Sequence, residues 1–277
     1  MRLLNGQPSE HIDSRDRGLQ YGDGLFETIA VRAGKMPFLE AHLQRLQKGL
    51  TALKINFNES DMALLRQEID LVTQSGEASD LIVKVMISRG ITERGYGYPE
   101  DLSANRIISS SAMPEWPERS TNGITVRFCH HALSENPVLA GLKHLNRLDQ
   151  VLARSEWRDI AIAEGLMHDQ SGFLIEGTMS NLFVIQDGII ATPDVSHCGV
   201  AGVMRAHLMQ LATQLGWTVQ VKPITPDELL HADECFVCNS IIGIWPIHHV
   251  SETDTYWQVG PMTKQLQTLL GQTIIAS

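Results

Sequence analysis

Lys143 sits in the run "VLAGLKHLNR" (138–147), behind Val138, Leu139, Ala140 and Leu142 and just ahead of a helix-like stretch. A solvated surface lysine usually keeps polar company, as Lys48 does in "LQKGL" and Lys264 in "MTKQLQ". Apolar surroundings disfavour the ammonium form, and a lysine without its proton is a nucleophile suited to Schiff-base chemistry. The same setting suits a lysine that buries its stem and sends its head to water. The run by itself leaves both readings open.

Other features could cooperate with it. Glu176 in "LIEGTMSNLF" is a carboxylate inside an apolar stretch, where an unpartnered charge is costly. It could equally lie on the wet face of a strand. "GVAGVMRAHL" (199–208) runs from a glycine-rich turn straight into a helix, with backbone N–H groups of Val203 and Met204 in its first turn, a ready anion site. Arg45 borders the apolar face formed by Leu43 and Leu46, and its planar fork suits phosphate, although most helix arginines are simply solvated. Ser240 in "CNSIIG" offers a hydroxyl at a strand exit, where hydroxyls usually only close a turn. A nucleophilic lysine, a buried carboxylate and a phosphate cradle are together the parts that pyridoxal phosphate needs. Composition and periodicity alone leave this a conjecture.

The elements that must position these residues follow from periodicity. Strands are expected over 25–34, 80–90, 106–113 and 124–131, and helices over 38–54, 61–74, 146–161, 202–216 and 261–271. In the second helix Leu64, Leu65, Ile69 and Val72 are expected to face inward. Residues 165–193 read as a meander turning at 170–172 and 186–188, and 235–247 hold a strand and a turn. Thr225 and Glu228 form a capping box with Pro226 at the first helical position. The stretch "PEWPERSTNG" (114–123) has prolines, charges and no period, and reads as a linker. The expectation is two α/β (α+β) domains, 1–113 and 124–277, the second carrying Lys143, with a small-molecule site in the cleft between them.

Hydrophobic content of 43% with 19% charged residues is that of a soluble globular protein. A formal net charge of −10 argues against nucleic acid or an anionic membrane as the main partner. No stretch approaches the ~20 apolar residues of a membrane span, and the N-terminus has no signal-like apolar run. Cysteines are sparse (Cys129, Cys198, Cys235, Cys238), which fits a reducing, cytoplasmic setting. Cys235 and Cys238 have C-x-x-C spacing, but on a strand they point to opposite faces, so no metal is expected.

The stretches "RGLQYGDGLFETI" (17–29), "HLQRL" (42–46), "AGLKHLNRLDQV" (140–151), "EGTMSNLF" (176–183), "GVMR" (202–205) and "VCNSIIGIWPI" (237–247) resemble, in order, those of the fold-type IV pyridoxal-phosphate enzymes. That family (class IV aminotransferase fold) includes branched-chain and D-amino-acid aminotransferases and the aminodeoxychorismate lyases. The resemblance implies pyridoxal 5′-phosphate between two domains, with Lys143 as the Schiff-base lysine and Glu176 as partner of the pyridine nitrogen. It further implies a phosphate cradle of Arg45, the backbone of Val203 and Met204, and Ser240. Asn181 would support the cofactor side of the site, and the assembly would be a homodimer.

Three stretches are similar to the lyase branch: "ISRGITERGYGYP" (87–99) with its Arg-Gly-Tyr run, "NPVLAGLKHLNRLDQV", and Thr28 after "FE". Thr92 and Glu93 depart from the glycine often found before Arg-Gly-Tyr in that branch. The resemblance thus implies conversion of 4-amino-4-deoxychorismate to 4-aminobenzoate and pyruvate, in folate biosynthesis. Arg89, Arg94 and Arg147 are candidates for the substrate carboxylates, with a structural ion pair as the other reading of Arg89 and Arg147, and Tyr96 lines the same loop. The alternatives are an aminotransferase using the same residues and a non-catalytic protein that kept the fold. His130, His131, His248 and His249 suggest no role.

Overall fold

The computed structural model describes residues 1–74 and 79–276. They form two compact units, the first spanning 1–114 together with 142–146 and the second 115–141 with 147–276. The segment around Lys143 therefore groups with the first unit, not with 124–277 as its place in the chain suggests. The expected linker also carries structure, because Pro117 starts a helix there.

The first unit contains β1 (Arg2–Leu4), β2 (Gln7–Pro8), α1 (Arg17–Tyr21), β3 (Gly24–Val31), α2 (Leu39–Ala52), α3 (Glu59–Gln74), β4 (Leu81–Ser88) and β5 (Asn105–Ala112). Its strands form an antiparallel sheet in the order β2-β1-β5-β4-β3. Period-two alternation sends Leu25, Ile29 and Val31 of β3 and Val83, Val85 and Ile87 of β4 into one core. Helical spacing brings Leu43, Leu46 and Leu50 of α2 and Leu65, Ile69 and Val72 of α3 onto that core. Leu64 is the exception to the expected stripe. It lies exposed, because its neighbour Leu65 takes the inward position and a residue 100° away cannot share it.

The second unit contains α4 (Pro117–Asn122), β6 (Ile124–Phe128), α5 (Leu148–Arg154), β7 (Ile162–His168), β8 (Leu174–Gly177), β9 (Asn181–Gln186), β10 (Ile189–Thr192), α6 (Val203–Gln214), β11 (Val219–Val221), α7 (Pro226–Leu230), β12 (Glu234–Asn239), β13 (Gly243–Val250) and α8 (Pro261–Ala276). Its strands run β11-β10-β9-β12-β13-β6-β7-β8, and a further β8–β9 pairing closes the sheet from β9 to β8 into a barrel-like ring. Val126, Leu166, Leu182, Val237, Trp245 and Ile247 belong to its core. Helix α5 is shorter than the 146–161 stretch. The chain leaves it to bury Trp157, whose indole donates to the Ile162 carbonyl. Helix α8 runs past Gly271, where nothing crowds the backbone. The capping box of α7 forms in full.

All four cysteines are free and buried, and burial pushes their thiols up, so none has the marks of a reactive or ligating group. Among the described residues no metal-binding cluster occurs, and no helix is long and apolar enough to cross a membrane.

Candidate active site

In the first unit Lys143 lies on a backbone splint along the edge strand β3. The Phe26 N–H donates to the Lys143 carbonyl (2.9 Å) and the Leu145 N–H to the Gly24 carbonyl (3.0 Å), with His144 bridged to Leu25. Asn146 adds a side-chain bond to the Gly22 carbonyl at 3.0 Å. The lysine is half-buried, and its Nζ stands 4.4 Å from the centroid of the Phe26 ring. A long, flexible side chain is thus presented from a backbone fixed on both sides of it. Thr28 follows Phe26 on the same face of β3 and is also half-buried.

Arg45 projects from α2 onto Glu27, which is 1% exposed on the opposite face of β3. Arg45 Nε donates to Glu27 Oε1 at 2.8 Å and Nη2 donates to Oε2, while His42 Nδ1 shares that second oxygen at 2.7 Å. Burial opposes ionisation of Glu27, but the hydrogen bonds of Arg45 and His42 and the charge of Arg45 hold its carboxyl below the usual range. Burial pushes the His42 pKa down, so the ring is neutral and donates from Nδ1. The carboxylate fixes the plane of the Arg45 guanidinium, a role invisible in sequence although Glu27 lies within the stretch 17–29.

The three arginine candidates have different surroundings. Arg89 is buried, with Nε and Nη2 on the two oxygens of Asp23 (2.8 and 3.0 Å) and further bonds to the carbonyls of Leu53 and Lys54 at 2.7 Å. Its fork is occupied by the protein, so it has the structural role that competed with substrate binding. Arg94 and Tyr96 lie exposed in the loop 91–99. Arg147 precedes α5 in the second unit. Burial lowers its pKa, and the nearby carboxylates of Glu176 and Asp149 counteract this.

The second unit brings Glu176, Asn181, Val203 and Met204 around one turn. Glu176 is 4% exposed, which settles the wet-face reading against it, and its Oε2 accepts the Val200 N–H at 2.8 Å. Asn181 Nδ2 donates to the Val200 carbonyl at 2.9 Å. The turn 199–202 then enters α6, whose first residues are the buried Val203 and Met204 and whose N-cap, Gly202, supplies no side-chain cap. Such a start leaves first-turn N–H groups oriented for an anion. Ser240 sits in the turn joining β12 to β13, and Asn239 braces that turn through the N–H groups of Ile241 and Ile242.

Sequence reasoning missed Glu164. This carboxylate is 1% exposed and accepts from the N–H groups of Gly165, Thr178 and Met179 and from the hydroxyls of Thr178 and Ser180, at 2.6–3.2 Å. It gathers the whole connection between β8 and β9, and therefore sets the spacing of Glu176 and Asn181. Its single sequence signal was a charge inside an apolar strand. His131 and His249 are structural: the first pairs with Asp149 at 2.8 Å, and the second stacks on Tyr256 with ring centroids 4.1 Å apart.

The sequence model of class IV aminotransferases matches residues 24–250. The chain belongs to this family, whose enzymes work with pyridoxal phosphate. The solved 4-amino-4-deoxychorismate lyase from Pseudomonas aeruginosa is similar at 45% identity and a TM-score of 0.91, covering 98% of each chain. An aminodeoxychorismate lyase from Vibrio harveyi is 35% identical over 96% of this chain and 98% of its own. A D-alanine aminotransferase from Bacillus licheniformis is 27% identical over 99% of this chain and 97% of its own.

Proposed function

We propose that this protein is a pyridoxal-phosphate-dependent lyase that converts 4-amino-4-deoxychorismate to 4-aminobenzoate and pyruvate, a step of folate biosynthesis. The observation that carries the choice of reaction is near full-length similarity to two lyases, at 45% and 35% identity, against 29% and 27% for two aminotransferases. The residues fit the cofactor. Lys143 is a half-buried amine on a fixed backbone, Glu176 a buried and oriented carboxylate, and the uncapped start of α6 an anion site. Arg45, its plane fixed by Glu27, and Ser240 supply the rest of a phosphate cradle.

When bound, the cofactor supplies a conjugated ring that accepts the electron pair left when a proton departs from carbon. Glu176 holds a proton at the pyridine nitrogen. Lys143, the amine that would hold the cofactor, would take the proton from ring carbon C4 of the substrate. The C3–oxygen bond then breaks, the carbocycle becomes aromatic, and Lys143 returns a proton to the enolpyruvyl fragment to give pyruvate. No water or oxidant is consumed. Aromatisation drives the reaction, so the chain's own task is to orient groups and move one proton. Arg94, with Tyr96 beside it, and Arg147 are the cations we assign to the substrate carboxylates, and Thr28 borders the substrate on the Phe26 face.

A second reading is amino-group transfer with D- or branched-chain amino acids, supported by D-alanine and branched-chain-amino-acid aminotransferase relatives at 27% and 29% identity. Incubating the cofactor-loaded protein with freshly made 4-amino-4-deoxychorismate and quantifying both products separates the two. Equal 4-aminobenzoate and pyruvate, abolished by Lys143→Ala, establishes the lyase. Keto-acid formation from an amino-acid donor with neither product released establishes the transferase instead.

We further infer a homodimer in the cytoplasm. Helix α5 exposes Leu148, Val151 and Leu152 at helical spacing, an apolar stripe that a second copy would cover. Four free, buried thiols suit a reducing compartment.

A further inference from the structure

Arg17 is 3% exposed, yet its guanidinium serves a loop that is exposed almost throughout. Nη1 donates to the Thr92 hydroxyl (3.1 Å) and to the carbonyls of Gly95 (3.1 Å) and Gly97 (3.4 Å). Nη2 donates to the Tyr96 carbonyl at 3.0 Å, and Nε to Asp23 Oδ2 at 2.8 Å. Three consecutive carbonyls therefore converge on one cation. The rings of Tyr21 and Tyr98 lie 5.0 and 5.4 Å from its central carbon, and the Tyr21 hydroxyl accepts the Gly95 N–H at 3.2 Å. Gly95 reaches this conformation with φ +89°, which other residues rarely adopt.

Turning carbonyls 95–97 inward has a geometric consequence. The intervening Tyr96 side chain points out and is 82% exposed, and Arg94, just before the cluster, is exposed as well. Three carbonyl dipoles aimed at one point repel one another unless a cation with several donors sits there. A planar five-donor fork meets that need, whereas an ammonium is a point charge with three donors. Arg17 itself is fixed, since its N–H donates to the Gly90 carbonyl and Asp16 caps the helix it opens.

We propose that Arg17 is a positioning residue that fixes the 91–99 loop in the shape presenting Arg94 and Tyr96, and thereby sets how tightly a substrate bearing two carboxylates is held. The loop's shape rests on the hydrogen bonds above; its role toward substrate rests on the lyase reading.

The test compares cofactor-loaded wild type with Arg17→Lys, which keeps the charge opposite Asp23 but loses the fork. Limited trypsin digestion with peptide mapping reads cleavage after Arg94, independently of activity. We expect cleavage there to accelerate about tenfold in the variant while cuts elsewhere keep their rates, the mark of local loosening. KM for 4-amino-4-deoxychorismate rises about tenfold with kcat within about twofold, because binding and not the proton transfer is lost. Tyr21→Phe, which removes one hydroxyl from the cluster, shifts both readouts the same way by less, and stands in should Arg17→Lys not fold. Wild-type cleavage at Arg94 in both variants overturns the proposal. Faster cleavage with unchanged KM overturns its substrate half. A wild type that turns over no 4-amino-4-deoxychorismate overturns the lyase reading, and the trypsin result alone then decides whether Arg17 fixes the loop.

Discussion

Glu176 and Asn181 face each other as Cα partners across β8 and β9, and their pairing is the seam that closes the strand ring of the second unit. Both side chains grip Val200, one accepting its N–H and the other donating to its carbonyl. The same turn is tied to Gly141, which donates to the Gly199 carbonyl and accepts the Ala201 N–H. Gly141 lies two residues before Lys143. One short turn therefore registers the carboxylate, the amide, the start of α6 and Gly141 against one another.

Gly202 tests that registration. A Cβ there would lie 1.9 Å from Asn181 Oδ1, whose amide is held in place by Val200. Gly202→Ala must push Asn181 or the start of α6 aside, at a cost of about 1–3 kcal/mol by analogy with overpacked cores. Titration with pyridoxal phosphate, followed by visible absorbance, should show cofactor affinity reduced about tenfold, 1.4 kcal/mol being a factor of ten. Wild-type affinity in this variant would show that the turn does not shape the cofactor site.

Glu164 is the second lever on the same seam. Five donors converge on its carboxylate, and burial pushes its pKa up against the pull of those donors. Glu164→Leu removes every acceptor at once. Stranding buried N–H groups should destabilise the protein by about 3 kcal/mol or more in urea unfolding. Glu164→Gln keeps one acceptor oxygen and should lose less. Equal stability of the leucine variant and wild type would refute the account of the β8–β9 connection.

Most of the fold was legible from periodicity, because β3, β4, α2 and the β7–β10 meander each bury one clean face or run. Lys143 and Glu176 were legible as charges in apolar company. What stayed hidden depends on contacts distant in sequence. Arg89 reads as a free cation until Asp23 is seen 66 positions away holding its fork. Glu164 reads as one more strand glutamate until the 178–180 loop folds over it. The grouping of 142–146 with the first unit rests on backbone bonds to β3, which no side-chain pattern encodes.

The apolar stripe on α5 makes a prediction about assembly. Leu148 and Val151 are 74% and 59% exposed in the isolated chain, one helical turn apart. Val151→Asp leaves the fold of the chain untouched but places a charge that a dimer interface would have to desolvate, at a cost of several kcal/mol. Light scattering at micromolar concentration should find wild type at twice the chain mass and the variant at the chain mass. A wild-type monomer, or a variant that stays dimeric, would move the interface elsewhere.

Asp23 couples stability to pH through both buried arginines. Burial raises its pKa, but the hydrogen bonds and charges of Arg89 and Arg17 outweigh this and hold it below the ordinary 3.8. A carboxylate depressed in the folded state stabilises above its unfolded pKa, and that contribution is lost as pH falls through the folded value. Asp23→Asn leaves two guanidinium groups facing an uncharged amide, so near pH 7 the variant should be less stable by about 3 kcal/mol. Below about pH 4 the unfolded wild-type chain begins to take up a proton that the folded Asp23 carboxylate still excludes, so the gap between the two proteins should narrow steadily as pH falls toward the lower folded value. Urea titrations of both proteins at about pH 7, 4 and 3 read this directly. A gap that stays constant across that range would mean that the arginines are held by the carbonyls of Leu53, Lys54 and the 95–97 loop, and that Asp23 contributes shape without charge.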